Sequence, residues 1–359
     1  MNRQASWRVG VTLILALGSV GVIARRVSTQ SPDAPVFQSS EAVRSFVVLN
    51  NRNPRKLRDM TVQVPSDNPQ TEAKVALGRR LFFDKVLSND RSVSCSTCHD
   101  PEHAFADERP QAVGVFGRTG RRNSPTLVNR GFGRVQFWDG RAPSLEAQVV
   151  QPISDRNEMD LAIDIALERL TADESYRTAF NDVFGGPVTA VDLGRALASY
   201  VRSIRSGDSP YDRFVEGATD ALTPDQRAGL DVFRGRANCW VCHAEPTFSD
   251  EQFRNTGIAW QAGTGETPGS FADDGRFGVS GVERDRGGFK TPTLREVART
   301  APYMHDGSLA TLDEVVEFYS AGGRRNPNLF PLVRPINLTD TDKRALVAFL
   351  ESLSGTIAK

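Results

Sequence analysis

Apolar side chains return every three or four residues in several stretches of this chain, while strand-like alternation is scarce. From Thr71 onward, Val75, Leu77, Leu81 and Phe82 follow that interval and predict a helix over Lys74–Phe83, about a dozen residues before Cys95. Thr223-Pro224-Asp225-Gln226 has the chemistry of a capped helix start, with proline at the first helical position and glutamine at the third. It leads through Leu230, Val232 and Phe233 toward Cys239. A helix running into a cysteine pair, twice in one chain, implies a duplicated unit. Between the two, Met159–Leu170 and Ala190–Ile204 are predicted helices, and Ser206-Gly207-Asp208-Ser209-Pro210 breaks the pattern, placing a domain boundary between 207 and 208. Residues 261–288, rich in glycine and scattered charge, are expected to form an irregular loop rather than a phosphate cradle. A last helix, capped by Thr339, is predicted to run through Leu346, Phe349, Leu350 and Leu353. The expected fold class is therefore mainly α, with units at 71–207 and 208–359 behind an extended lead-in at 27–70.

A chain of 359 residues exceeds what one core usually organises, in keeping with two domains. Lysine plus arginine and aspartate plus glutamate number 44 each, so no positive excess exists to neutralise a phosphate backbone, which argues against nucleic acid as a partner. Residues 1–26 change the picture: Arg3 and Arg8 precede an apolar run from Val9 to Ala24, with Arg25 and Arg26 behind it. This reads as an export signal. The run is shorter than the ~20 residues that comfortably span a bilayer, so cleavage and release into the periplasm is expected over retention as an inner-membrane anchor. Cleavage after Arg26 would remove four arginines and leave a net charge of −4, which suits a basic partner such as a small cytochrome.

Four cysteines in an exported chain would first suggest disulfides, but their spacing says otherwise. Cys95-Ser96-Thr97-Cys98-His99 and Cys239-Trp240-Val241-Cys242-His243 are complete C-x-x-C-H units that use every cysteine. That is the attachment pattern of c-type haem. Each thiol adds to a vinyl group of the porphyrin and the following imidazole becomes the proximal iron ligand. Zinc would have to gather ligands across 144 residues, and a thioredoxin-type site has no use for the trailing histidine. Each unit with its helix is thus expected to be a cytochrome c-like haem domain. The chain has only four histidines. With His99 and His243 engaged as proximal ligands, His103 and His305 remain. His103 lies four residues past His99 and, on a helix, would share its side of the porphyrin; it reads as a surface or propionate-contacting group. The first haem would then lack a histidine at its sixth position, where an open iron binds peroxide.

Ordered motifs from about 71 to 354 extend this: SCSTCHDPEHAFAD, RRNSPTLVN, FWDGRAPSLEAQVVQPISDRNEM, CWVCH and FKTPTLREVARTAPYMHDGSLATLDEVVEFYSAGG. In this order the chain resembles the bacterial di-haem cytochrome c peroxidases and the related MauG-type enzymes. The resemblance implies that the haem at His99 is the peroxide site and the haem at His243 receives electrons. It makes Glu158 the distal carboxylate, with Gln148 and Pro152 in the same pocket; without it, Glu158 would read as a solvated acid at a helix start. A carboxylate there has a task, since O–O cleavage needs a group that takes a proton from peroxide and hands it to the departing oxygen. Trp138 matches a tryptophan between the haems, suited to relay electrons and equally to pack as a core side chain. Asn123, with the backbone carbonyls of Thr300 and Pro302, matches a calcium site of oxygen ligands, although Asn123 could equally cap a turn.

Two departures stand out. Peroxidases of the better-known branch carry a methionine ligand 14 residues after the histidine of PYxHDG; here that position is Tyr319, as in MauG-type members, so Tyr319 is the expected ligand of the second haem, with Met304 as the alternative. Many relatives also present a distal histidine 16 residues after the proximal one, where this chain has Val115, so no histidine need be displaced before peroxide binds. His305 is expected to support the haem or the interface through hydrogen bonds. The implied cofactors are two c-type haems and one calcium ion. The implied partners are hydrogen peroxide and a small electron-donor protein, cytochrome c or cupredoxin, and the resemblance also admits a homodimer. Peroxide reduction with such a donor is the leading expectation. A MauG-like oxidase that uses peroxide on a large substrate is the alternative, followed by a pure electron carrier and a haem-free zinc or disulfide protein.

Overall fold

The computed structural model describes residues 56–358. The expected export signal and the lead-in as far as residue 55 lie outside the described residues. Helix α1 (Glu72–Phe83) begins where the Thr71 side chain accepts a hydrogen bond from the Lys74 amide. Past the helical turn Cys95–Cys98 the chain runs irregularly to α2 (Leu145–Val149), then forms α3 (Ile163–Ala172), α4 (Glu174–Phe184) and α5 (Ala190–Ser203). Strand β1 (Arg205–Gly207) leads into α6 (Pro210–Val215) and α7 (Pro224–Arg234), which Thr223 and Gln226 close with reciprocal capping hydrogen bonds. After the second cysteine turn come the two-residue strands β2 (Phe253–Arg254), β3 (Trp260–Gln261), β4 (Ser270–Phe271) and β5 (Phe289–Lys290). Then follow α8 (Leu312–Ser320), α9 (Asp340–Glu351) and β6 (Thr356–Ala358).

Two apolar cores result. The first gathers Leu77, Leu81, Phe82, Phe105, Leu197 and Tyr200, and the second gathers Leu230, Phe233, Phe248, Leu346 and Phe349. Each is organised by one helix crossing at a glycine. A Cβ on Gly78 of α1 would collide with the Ala196 carbonyl and crowd Tyr200 on α5; one on Gly229 of α7 would collide with the Ala345 carbonyl and crowd Phe349 on α9. Glycine permits a backbone-close crossing, and the aromatic residue one turn further on packs over it. Full burial of each large apolar side chain in these cores contributes roughly 1.5–3 kcal/mol. The chain's end ties the cores together: β6 pairs antiparallel with β1, Ser206 opposite Ile357, and Ile357 packs on the first core. The buried Glu296 carboxylate accepts hydrogen bonds from Ser206 and from the Gly355 amide at 2.7 Å, which holds this return in place.

Three differences from the sequence expectations have local causes. The predicted helix over Met159–Leu170 starts only at Ile163, because Met159 and Leu161 donate to the Pro152 and Ile153 carbonyls and Asp160 takes a positive φ of 48°. These apolar residues are buried in a turn rather than along a helix. The last helix ends at Glu351, with the Ser352 amide bonded back to Ala348 and Phe349, although Leu353 is still fully buried. Residues 261–288 are mostly irregular, but Gln261 and Ser270 close a small antiparallel pair and Phe277–Ser280 forms one helical turn.

Candidate active site

Both cysteine turns hold their histidine in the same way. The His99 amide donates to the Cys95 carbonyl at 3.0 Å, and the His243 amide to the Cys239 carbonyl at 2.9 Å. Each imidazole then places Nδ1 on a carbonyl a few residues ahead: His99 on Phe105 at 3.1 Å, His243 on Phe248 at 2.9 Å. A carbonyl only accepts, so Nδ1 carries the proton and Nε2 keeps its lone pair for a metal. Phe105 and Phe248 present these carbonyls from left-handed backbone conformations, φ 59° and 54°. Burial holds both imidazoles below their ordinary pKa, which keeps them neutral.

A cavity of about 470 Å³ opens at the first turn. Cys95, Cys98 and His99 line it together with Trp138, Gln148, Pro152 and Glu158, so the residues expected at the peroxide site share one chamber. Burial pushes the Cys95 thiol up to about 12 and the Cys98 thiol up to about 11, with the Glu158 carboxylate adding to both shifts. Glu158 itself is pushed up to about 7, first by burial and then by repulsion from Asp155, against the pull of Arg141. A carboxyl group poised near neutrality can both accept and return a proton.

Trp138 is pinned at both ends. Its indole Nε1 donates to the Asn123 carbonyl at 2.9 Å, and its own carbonyl accepts from the Lys290 amide at 2.7 Å. Lys290 sits on β5, which pairs with β2 just beyond the His243 loop, so Trp138 links the first cavity to the chain around the second cysteine turn. Asn123 is buried; its side-chain nitrogen donates to the Arg109 carbonyl at 3.0 Å and its amide to the His305 carbonyl at 2.8 Å. Thr300 is bonded through its amide and hydroxyl to the Val297 carbonyl, and Pro302 precedes the Tyr303–Leu309 bridge. Among the described residues no cluster of three or more His, Cys, Asp or Glu side chains is arranged to hold a metal ion.

At the second turn, Tyr319 on α8 comes close enough to Cys239 and Cys242 for both thiols to act on it. Burial first and those thiols next drive its phenol far above the ordinary value, while a hydrogen bond with Thr256 opposes the shift. Met304 lies in the Tyr303–Leu309 turn with φ 73°. His305 is buried and stacked on Phe289, ring centroids 3.6 Å apart, and burial pushes it down to about 4. His103 stays at the surface between the carboxylates of Asp100 (3.1 Å) and Glu108 (3.3 Å), away from the cavity lining. Val115 is fully buried in the first core.

Sequence reasoning missed a charged cluster beside Trp138. Arg130 and Lys290 both line the cavity, and both reach Glu251, at 2.6 and 3.5 Å. Burial works against the Glu251 charge, but the two cations hold it at about 2. Burial and the Arg130 charge push Lys290 down to about 7, more than the attraction of Glu251 restores. These residues are 121 and 39 positions from Glu251 and carry no motif, so only the folded chain unites them.

With this geometry in view, comparison with known proteins is decisive. The family model described as di-haem cytochrome c peroxidase matches residues 72–220. Methylamine utilization protein MauG of Methylorubrum extorquens is 39% identical over 298 residues, 82% of each chain. This chain belongs to the di-haem cytochrome c peroxidase and MauG family. Cytochrome c551 peroxidase of Nitrosomonas europaea is 34% identical over 80% of this chain and 81% of its own. The crystal structure of a MauG-like protein associated with microbial copper homeostasis superposes with a TM-score of 0.74 at 34% identity, covering 82% of this chain and 93% of that one. The family carries two c-type haems, and the residues here fit them: each site has its thiol pair and an imidazole whose Nδ1 is already engaged. The family relatives are oxidoreductases that use peroxide.

Proposed function

We propose that this chain is an exported di-haem peroxidase that reduces hydrogen peroxide to water at the Cys95–His99 site with electrons delivered through the Cys239–His243 site. The observation that carries this reading is Glu158, which lines the same cavity as Cys95, Cys98 and His99 and whose carboxyl is raised to about 7. A haem held there supplies the iron that binds peroxide and passes it electrons. With peroxide bound there, Glu158 would accept a proton from one peroxide oxygen and return it to the other, which would leave as water; two electrons and two protons would complete the conversion to two waters. Gln148 and Pro152 shape the space around the bound oxidant and exclude bulk water. Trp138, bonded to Asn123 on one side and Lys290 on the other, is the relay between the sites. With a haem bound, Tyr319 would join His243 in holding the second iron, losing its phenol proton to the metal and so favouring the ferric state. Asn123 with the Thr300 and Pro302 carbonyls would hold a calcium ion near the interface of the halves 71–207 and 208–359, which are read as cytochrome c-like domains. The export signal places the enzyme in the periplasm, where a small cytochrome c or cupredoxin is the donor; no described helix is long and apolar enough to cross a membrane.

Steady-state peroxide turnover with reduced cytochrome c or cupredoxin tests the reading. Turnover is expected with at least one donor, and Glu158→Gln should slow peroxide cleavage while both haems stay attached. Failure with every donor favours the second reading, a MauG-like oxidase that turns peroxide on a large substrate by long-range electron transfer. Tyr319 beside the second cysteine pair is the observation on its side.

A further inference from the structure

Among the described residues the Glu158 carboxylate has no hydrogen-bond partner; partial burial and the charges of Asp155 and Arg141 act on it. Its position must therefore come from the backbone that carries it. That backbone is the tight turn Asp155–Asp160, in which the amides of Glu158 and Asp160 both donate to the Asp155 carbonyl, at 3.0 and 2.9 Å. A second segment is laid directly on this turn. Residues 112–120 form a hairpin closed by the Val113–Thr119 bridge and by Gly114 and Gly120 amides donating to the Arg118 and Ala112 carbonyls, at 2.8 and 2.9 Å.

The hairpin grips the turn at three points. The Val115 amide donates to the Glu158 carbonyl at 2.9 Å. Arg118 Nη1 donates to the Arg156 carbonyl at 2.9 Å and to the Asp160 carboxylate at 2.7 Å, bracketing Glu158 two residues to either side. Gly114 lies so close that a Cβ would collide with the Asn157 and Glu158 carbonyl oxygens and stand 2.7 Å from Glu158 Cα. Its φ of −91° is open to any residue, so the glycine serves this approach and not a special backbone angle. The Val115 side chain is fully buried in the first core and anchors the hairpin from beneath.

We propose that the 112–120 hairpin is the positioning element for the distal carboxylate, with Gly114 and Arg118 as the positioning residues that hold Glu158 over the cavity. The inference rests on the reading of Glu158 as the group that moves the peroxide proton. A carboxylate placed only through its main chain is sensitive to small shifts of that chain, and misplacement of about 1 Å in a reacting group costs up to a hundredfold in rate.

The test uses the holo-protein in four variants: Gly114→Ala, Arg118→Ala, Arg118→Lys and Glu158→Gln. Rapid-mixing peroxide cleavage is measured with haem content, the second haem's spectrum, and an infrared titration of the carboxyl band that Glu158→Gln removes. Arg118→Ala and Gly114→Ala are expected to slow cleavage roughly ten- to a hundredfold with both haems retained. The Glu158 band should titrate at lower pH as the displaced group gains water, and Arg118→Lys should recover part of both effects. If Glu158→Gln slows cleavage while Arg118→Ala changes neither rate nor titration, the positioning role is wrong; Arg118→Ala decides even where Gly114→Ala fails to fold. A slowed Arg118→Ala with an unmoved carboxyl band also overturns it, because a merely structural loss would act that way. If Glu158→Gln itself leaves cleavage unchanged, the acid-base reading has failed first, and the inference falls with it.

Discussion

On the proximal side the two haem sites are near copies: His99 leans on the Phe105 carbonyl and His243 on that of Phe248, and Gly78 and Gly229 admit the same kind of helix crossing behind them. On the other side they diverge. The first site faces a cavity with a carboxyl poised near neutrality, whereas the second has the phenol of Tyr319 near its cysteines. The backbone devices that present an imidazole are thus closely similar, and what differs is the side chain brought in from a distant part of the chain. One site is left with room for a small oxidant and a group to move its proton. The other, on the proposed reading, would be closed by Tyr319 as a ligand suited to carrying charge.

The comparison is broken most severely by removing one attachment at a time. Cys95→Ala with Cys98→Ala should leave one haem per chain by pyridine haemochrome and abolish peroxide turnover. Cys239→Ala with Cys242→Ala should also leave one haem, yet peroxide should still perturb the remaining spectrum while donor-driven turnover disappears. Equal loss of both properties in the two variants would mean the sites do not divide the work.

Next in size is the proton. Glu158 is raised to about 7, so its base form grows as pH rises through that value, and peroxide cleavage should rise with a one-proton inflection near 7. Glu158→Gln should remove the inflection and cost about 10²–10⁴-fold in rate. The same shift acts on stability with a fixed sign. A folded-state pKa above the ordinary 4.5 stabilises the fold at low pH, and that contribution is lost as pH climbs through 7. Melting curves at pH 4 and pH 8 should therefore show Glu158→Gln gaining on the parent protein only at the higher pH.

The shared half of the comparison is sharpened by Gly78→Ala and Gly229→Ala. Each forces a methyl group into a facing carbonyl, and each should destabilise by about 1–3 kcal/mol in denaturant unfolding. A large inequality would show that the two crossings are not equivalent. The smallest expected effect is spectroscopic: Tyr319→Phe should alter the absorption and potential of the second haem and leave the first unchanged. An unaltered spectrum would return Met304 to consideration as the ligand.

Part of this was legible in the linear chain. Thr223 with Gln226 and the run after Thr71 mark helices found where expected, because caps and apolar period are local properties. Helix α4 went unmarked although Asp173 caps it, Tyr176 and Phe180 are its buried pair and Gly185 ends it at φ 75°. Helix α8 likewise carries a Thr311–Glu314 capping box inside a motif read only for its chemistry. Those signals were present. Others were not: Met159 and Leu161 look helical by period, and nothing nearby reveals that their amides turn back to Pro152 and Ile153.

The amino-acid order alone determined the covalent chemistry, since two C-x-x-C-H units specify thiols and imidazole within five residues each, and it determined the helices that short-range caps and spacing encode. The tertiary structure alone decided that Glu158 shares a chamber with Cys95, that Gly114 presses on the turn behind it, and that Arg130, Glu251 and Lys290 meet beside Trp138. Contacts between residues 39 to 121 positions apart leave no period or spacing along the chain, because their geometry is set by how two cores pack and not by any neighbour in sequence.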